Sequence, residues 1–315
     1  MDFRNSSSKM VGFLIVGFSD FAAIQTPLFL YFLNVYILII CGNFILVILI
    51  ISSPSLSTPM YFFLGNLSSL DIVYTSVTCP KLISIFATGI GSISSGACVL
   101  QLYFFIAFGS TEYFLLTIMS YDRYVAVCKP LHYSVVMNQH VCTFVAIGSW
   151  LGGIVASIPI ATVTSTFDYC SSNLINHFFC DVNALIHLAC NDITLIHTVI
   201  MIQGVVLVMT SFILTLMSYL QILSSIMKIR TSRGKYKTFS TCGSHLTAVT
   251  LFYIVVFVLY MRPPSSMSLS QAKILTTLYV YNIPLLNPVL YSFRNQSVKQ
   301  ALKKLLKSLI KYKEL

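Results

Sequence analysis

Ionisable side chains are scarce in this chain, so the few that interrupt its apolar runs are where chemistry would be done. Asp71 and Glu112 each fall in the middle of a long apolar stretch, and Asp122 and Arg123 stand side by side at the end of another, in MSYDRYVAVCKPLHY at 119–133. Burying such a group in lipid is expensive, so each is a functional hypothesis by default. Two acids at similar depth suit a shared sodium ion or a proton. The competing reading leaves each acid neutral, or satisfied by a neighbour such as Ser110 or Asn287. Asp122 and Arg123 can balance each other's charge, so that releasing Arg123 would offer a donor to a protein partner. A structural ion pair that anchors the helix end is the alternative. Ser244 and His245 are adjacent, but neighbours on a helix point about 100° apart and do not make a nucleophile–base pair. The six histidines are scattered, without the convergence with cysteine that metal-assisted hydrolysis needs. No covalent catalysis and no metal site are expected.

The elements that position these residues follow from composition. The chain is 57% hydrophobic and 9% charged, with a mean hydropathy of +0.84, whereas a soluble domain carries about 25% charged residues. It lacks the polar groups to cover a globular surface, so lipid is its expected solvent. Residues 1–20 lack a basic start, an apolar core and a small-residue cleavage site. The first long apolar segment is therefore expected to serve as targeting signal and anchor. A bilayer core needs about 20 apolar residues of helix, and candidate spans fall near 28–51, 60–86, 97–121, 141–161, 196–227, 238–261 and 271–293. The second and seventh are interrupted by Asp71, Pro80, Pro284 and Pro288. The reading is an all-α membrane protein, a seven-helix bundle over 28–293. Residues 1–27 form an N-terminal segment and 294–315 a short amphipathic tail.

Charge orients the bundle. One set of connections holds Arg123, Lys129, Lys228, Arg230, Arg233, Lys235, Lys237 and the lysines from Lys299 to Lys313. The other holds few basics, among them Lys9 and Arg262, together with Asp20, Asp168, Asp181 and Asp192. The positive-inside rule then puts the N-terminus outside and the C-terminus in the cytoplasm. The net charge of +10 thereby points to the anionic inner leaflet and not to nucleic acid. Asn5-Ser6-Ser7 is a glycosylation sequon in the outer segment, whereas the sequons at Asn66 and Asn295 fall in a helix and in the cytosol and read as chance matches. Cys98, Cys170, Cys180 and Cys190 all fall outside, where disulfides persist. Four cysteines allow three pairings, and spacing does not choose among them. Cys98 and Arg123 are 25 residues apart, roughly 37 Å of helix, enough to cross from one face to the other. In VKQALKKLLKSLIKYK, Val298, Ala301, Leu302, Leu305, Leu306, Leu309 and Ile310 keep helical spacing opposite a lysine face. Such a helix should lie on the inner leaflet; a disordered basic tail is the alternative.

Glu112 and Arg123 lie close to three helical turns apart and share a face, with Phe105, Ile106, Gly109, Ser110 and Tyr113 on an adjoining stripe. A small residue between aromatics leaves room for a ligand, or lets helices pack closely. Asn287-Pro288 with Tyr291 sets a helix break near the inner end of the last span, a kink able to adopt two states. KTFSTCGSHL at 237–246 gives the sixth span a polar, basic foot suited to a cytosolic partner.

Taken in order, GN at 42–43, PMYFFLGNLSSLD at 59–71, MSYDRYVAVCKPLHY at 119–133, HFFCD at 177–181, KTFSTCGSHL at 237–246 and PLLNPVLYSFRN at 284–295 resemble the olfactory receptors, a branch of the rhodopsin-like G-protein-coupled receptors. The resemblance runs from the first span to the start of the tail. It implies disulfides Cys98–Cys180 and Cys170–Cys190, with the second tying the long outer loop to itself. It also implies coupling through Asp122, Arg123 and Tyr124, with Tyr219, Asn287, Pro288 and Tyr291 rearranging on activation. Asp71 and Glu112 match the family's buried acidic pair, with a bound sodium ion the one cofactor to consider. A small volatile or apolar odorant would bind between helices three, five and six, under the outer loop. Mapped onto this chain, that pocket draws on Phe105, Ile106, Gly109, Ser110, Gln203, Leu207, Tyr253, Val256 and Tyr260, with Tyr253 as the ligand-sensing toggle. The sequence departs from the family pattern at Ser120 and Thr238, where alanine is common, and at Ile254, where glycine is frequent.

The resemblance implies a plasma-membrane odorant receptor that partners a stimulatory, olfactory-type G protein and raises cyclic AMP. The rival is a secondary transporter, which predicts inverted repeats and paired broken helices. No such repeat is evident, and the two halves carry unrelated motifs.

Overall fold

A computed structural model describes residues 12–18, 24–170, 172–260, 269–294 and 296–313. Asn5 and Arg262, and the side chain of Tyr260, lie outside what is described. Helices α1 (Gln25–Ser52), α2 (Pro59–Thr88), α3 (Ser95–Cys128), α4 (Gln139–Ser165), α5 (Thr194–Lys228) and α6 (Ser232–Tyr260) form the bundle with α7, which runs over 269–294; the helix Gln296–Lys313, α8, follows. The first five helices, and Cys242–Leu259 within α6, are long and apolar enough to cross a membrane. The helix α7 reaches its length as three consecutive segments, Leu269–Thr277, Leu278–Asn282 and Ile283–Arg294. Its middle segment is a π-turn, as is Gly204–Met209 within α5. Sequence periodicity hides such turns, because one inserted residue shifts the buried face without breaking the helix.

The distribution of polarity is that of a protein dissolved in lipid. In α1 the buried residues Phe32, Val35, Ile39, Asn43, Leu46 and Leu49 form one stripe at helical spacing, while Ile37, Leu38, Phe44, Ile45 and Ile51 face outward. Phe144, Val155, Val205 and Val206 are likewise exposed, whereas Asp71, Glu112, Thr75, Thr111 and Ser120 are buried. Their hydroxyls turn back onto the helix: Thr75 donates to the Asp71 carbonyl, Thr111 to Ala107 and Ser120 to Leu116. That satisfies polar groups where water is absent.

The helix α3 runs through the centre, packed against α2, α4, α5 and α6. Its first turn is capped by Ser94 Oγ, which accepts from the Ala97 amide at 3.3 Å. At this end, Cys98 bonds to Cys180 of the loop between α4 and α5, and Cys170 bonds to Cys190 within that loop. Gln101 adds a polar rivet, donating to the Val77 carbonyl of α2 at 2.9 Å and accepting from the Cys180 amide at 3.0 Å. A three-stranded sheet lies over the same end. Its middle strand β1 (Gly12–Ile15) pairs antiparallel with β2 (Ser92–Ser94) and parallel with β3 (Leu174–Ile175). The crossing is so close that a Cβ on Gly91 would sit 2.1 Å from the Ile15 carbonyl oxygen.

Close approach also joins α3 to α4. A Cβ on Gly153 would lie 2.1 Å from Thr111 Oγ1 and 2.4 Å from the Ala107 oxygen, while one on Gly148 would meet nothing within 4 Å. Gly153→Val should therefore force the two helices apart, costing about 1–3 kcal/mol. It should lower the midpoint of thermal unfolding in detergent, whereas Gly148→Val should not. Equal midpoints for the two variants would refute this account of the contact.

Candidate functional site

Three polar layers stack along the bundle. The middle one holds the two acids. Asn287 Nδ2 donates to Asp71 Oδ2 at 2.9 Å, and Tyr279 Oη donates to Glu112 Oε2 at 3.4 Å. Of the neighbours the sequence suggested, Asn287 meets Asp71, while Glu112 takes its hydrogen bond from Tyr279, a residue the pattern did not single out. Tyr279 is brought inward by the π-turn of α7. Gly109 is the small residue that admits it: a Cβ there would lie 3.4 Å from Tyr279 Oη and 3.6 Å from Tyr74 Oη. The room that Gly109 leaves between aromatics is thus filled by tyrosine hydroxyls. Among the described residues no three His, Cys, Asp or Glu side chains converge as a metal site.

Near the disulfides, the expected pocket residues fall into two groups. Phe105 meets Phe179 of the loop at 4.4 Å between ring centres and Tyr74 of α2 at 5.2 Å, so with Gly109 it faces α2 and α7. Tyr253 faces α5, where its hydroxyl donates to Ser211 Oγ at 2.9 Å and its ring packs on Phe212 at 5.2 Å. Val256 and Ser110 are buried, while Ile106, Gln203 and Leu207 are half-buried. The two groups are joined through Phe252, 5.2 Å from Tyr253, 5.7 Å from Tyr279 and 5.0 Å from Tyr113. Ile254 points outward from α6, so the departure from the family's glycine there does not intrude on the interior.

At the opposite end, Arg123 donates to Asp122 Oδ2 through Nε at 3.0 Å and again through a terminal nitrogen. Both residues are buried. The other carboxylate oxygen, Oδ1, accepts from Tyr133 Oη at 2.8 Å. Tyr133 lies in the short helix Tyr133–Val136 that follows α3. Its own burial, and then the Asp122 carboxylate, push its phenol above its ordinary value, so the hydroxyl remains a donor at neutral pH. Asp122 is thereby held from two sides. Tyr133 stands inside the quoted motif, eleven positions after Asp122, yet nothing in spacing alone links the two. Tyr124 stays outside this cluster and is half-buried, with the Lys129 ammonium 5.6 Å over its ring.

Beneath the pair, Tyr219 Oη shares a 2.6 Å hydrogen bond with His245 Nδ1, joining α5 to α6. His245 therefore pairs with Tyr219 and not with its neighbour Ser244. Tyr291 Oη and His245 Nε2 are buried and make no hydrogen bond. Asn287 and Pro288 occupy the kinked part of α7: Asn43 Nδ2 donates to the Pro284 carbonyl at 3.2 Å, the acceptor that Pro288 leaves open by lacking an amide proton. A cavity of about 550 Å³ opens at this end, lined by Cys128, Lys129, Pro130, Leu131, His132 and Val136.

Known proteins bear on this arrangement. The family profile described as Olfactory receptor matches residues 32–309. Olfactory receptor 1L4 of Homo sapiens is 42% identical over 97% of this chain and 98% of its own length. Olfactory receptor 5AR1 of Mus musculus is 41% identical over 96% of this chain and 98% of its own. Olfactory receptor 226 of Rattus norvegicus is 40% identical over 97% and 95%. Together with a seven-helix bundle whose apolar surface faces outward, these matches mean that the chain belongs to the olfactory receptor family, as a multi-pass plasma-membrane odorant receptor and not an enzyme.

Proposed function

We propose that this receptor sits with its N-terminus outside and binds small apolar odorants in the half of the bundle near the disulfides. The Arg123 end then couples to a stimulatory, olfactory-type G protein and raises cyclic AMP. The excess of basic residues in the connections at the Arg123 end supports the orientation. The observation that carries the coupling reading is the double hold on Asp122, by Arg123 and Tyr133. A buried arginine paired in this way is unavailable to a partner, and its release exposes five donors on the cytoplasmic face.

The route from odorant to Arg123 follows the packing. An odorant wedged beside Tyr253 competes with its bond to Ser211, a link between α5 and α6. Displacement of Tyr253 passes to Phe252 and Tyr279, which touches the acid layer. That layer, Asp71 with Glu112 and Asn287, is the seat we assign to a sodium ion or a proton stabilising the quiet state. At the cytoplasmic end, the unbonded Tyr291 hydroxyl and His245 Nε2 weaken the quiet state, since a buried group without a partner costs about 1–3 kcal/mol. Outward movement of α6 would break the Tyr219–His245 bond and allow both to find partners. An odorant favouring that arrangement shifts the population towards it.

The test is cyclic AMP in cells carrying the receptor and the olfactory G protein, across a chemically broad odorant panel, with surface labelling in the same cells. Arg123→Ala should abolish the dose-dependent response at equal surface level. Retained signalling would refute coupling through this site. Tyr133→Phe removes only the second hold on Asp122. A loss of about 1 kcal/mol should raise unstimulated cyclic AMP roughly five-fold. Unchanged basal signalling at equal surface level would show that Tyr133 does not hold the quiet state.

A further inference from the structure

Two side-chain hydrogen bonds join the inward face of α5 to α6. Tyr253 Oη donates to Ser211 Oγ at 2.9 Å, and eight residues further along α5 Tyr219 Oη shares its 2.6 Å bond with His245 Nδ1. Tyr253 and His245 are also eight residues apart, so the two bonds keep one antiparallel register. Ser211, Thr215 and Tyr219 form a buried stripe at four-residue spacing, and Thr215 is the rung between the two bonds. The register sets it opposite Val249, which is buried and has no polar group to offer. Thr215 is 3% exposed, and its Oγ1 makes no hydrogen bond among the described residues. A buried hydroxyl without a partner is rare enough to need a reason. Ser211 is constrained in the opposite sense. Its one proton goes to the Val208 carbonyl, in the π-turn of α5, at 3.0 Å. Ser211 Oγ can therefore only accept, and here it accepts from Tyr253. Phe212 and Phe257, with ring centres 5.2 Å and 6.1 Å from that of Tyr253, line the same place with aromatic surface.

We propose that Ser211 is the acceptor for the hydroxyl of an alcohol or phenol odorant, and that Tyr253, displaced from it, donates instead to Thr215 Oγ1 one turn deeper on the same face of α5. Side chains four residues apart on a helix are neighbours, so the Tyr253 hydroxyl has only a turn to travel. The exchange breaks one hydrogen bond and forms two: odorant O–H to Ser211 Oγ, and Tyr253 O–H to Thr215 Oγ1. Thr215 thus acquires a partner only when an odorant holds Ser211. A methyl ether, a ketone or an ionised carboxylate has no proton to give to Ser211, so it leaves Tyr253 where it is. The apolar body of the odorant lies against Phe212 and Phe257. This assignment rests on the reading of that half of the bundle as the odorant-binding half.

The measurement is binding of straight-chain alkanols from butanol to decanol, and of phenol and its 4-alkyl derivatives, each against its methyl ether, to the purified receptor in lipid nanodiscs. Protein-free nanodiscs supply the background. The native protein should bind at least one hydroxyl compound about tenfold or more tightly than its ether. Ser211→Ala should bring the two to within about twofold of each other. Thr215→Val removes the hydroxyl and nearly keeps the shape. It should weaken the hydroxyl compound about fivefold or more and the ether less than about twofold, and Thr215→Ser should restore the preference. In a Tyr253→Phe background there is no proton to hand down, so Thr215→Val should then change nothing. Because Thr215→Val takes away an unbonded hydroxyl, it should not lower the thermal midpoint, and it carries the test by itself should Ser211→Ala fail to fold. No preference for any hydroxyl compound over its ether, absence of binding included, would overturn the proposal. So would a Thr215→Val loss that persists in the Tyr253→Phe background. Cyclic AMP assays on the same pairs separate this site from the wider reading. Signalling to ethers and alcohols alike refutes the hydroxyl site and leaves the odorant receptor. Binding that depends on Ser211 and Thr215, with no signalling from any ligand, leaves the site and refutes the coupling.

Discussion

The Asn43 amide that reaches across to the Pro284 carbonyl states the constraint under which the rest of the molecule is built. Inside a bilayer no water will satisfy a freed backbone acceptor, so each proline break and each inward polar group has to be answered by another part of the chain. Asn43 answers the break at Pro288, Asn287 answers Asp71, Tyr279 answers Glu112, and Gln101 answers both Val77 and Cys180. Each answer crosses between elements, which makes these residues the registration marks of the bundle. The apolar surface, by contrast, faces a solvent as apolar as itself and specifies little.

The same constraint makes function separable from stability along α3. Its disulfide end is tied covalently and through Gln101, and its middle is clamped to α4 at Gly153. Its far end is held by hydrogen bonds, those to the Asp122 carboxylate and those from Cys128 to Ser225 and Gln221 of α5. Covalent and close-packed contacts do not have two states of nearly equal energy, whereas hydrogen bonds among Asp122, Arg123 and Tyr133 can be exchanged for others. Leu131, 90% exposed in the turn beyond this end, leaves an apolar side chain standing in the open beside the Lys129–His132 cavity.

Much of the bundle was legible in the sequence because lipid imposes a simple rule on length and polarity. The candidate spans near 28–51 and 97–121 fall inside α1 and α3, and Asp71 and Glu112 are buried mid-helix. What spacing could not reveal depends on turns of one residue and on contacts between distant segments. The π-turns at Gly204–Met209 and Leu278–Asn282 change which residues face inward, and so Tyr279 reaches Glu112 unannounced. Phe105 and Tyr253 were expected to line one pocket, but lie on two sides of Phe252, because side-chain direction is set by neighbours that a helical wheel does not contain. Tyr133 stood within a recognisable motif, but its role comes from a carboxylate that belongs to another element.

The sheet over the disulfide end has its earliest-made strand in the middle. Gly12–Ile15 precedes every described helix, yet its partners are Ser92–Ser94 and Leu174–Ile175. During synthesis one edge of this strand can meet Ser92–Ser94 once α2 is made, but the other stays open until four helices have been made and the chain has passed Leu174. Only then can the lid close and Cys98 meet Cys180. The cap at the disulfide end is therefore completed late in synthesis, by a segment that lies beyond four helices from the strand it closes on.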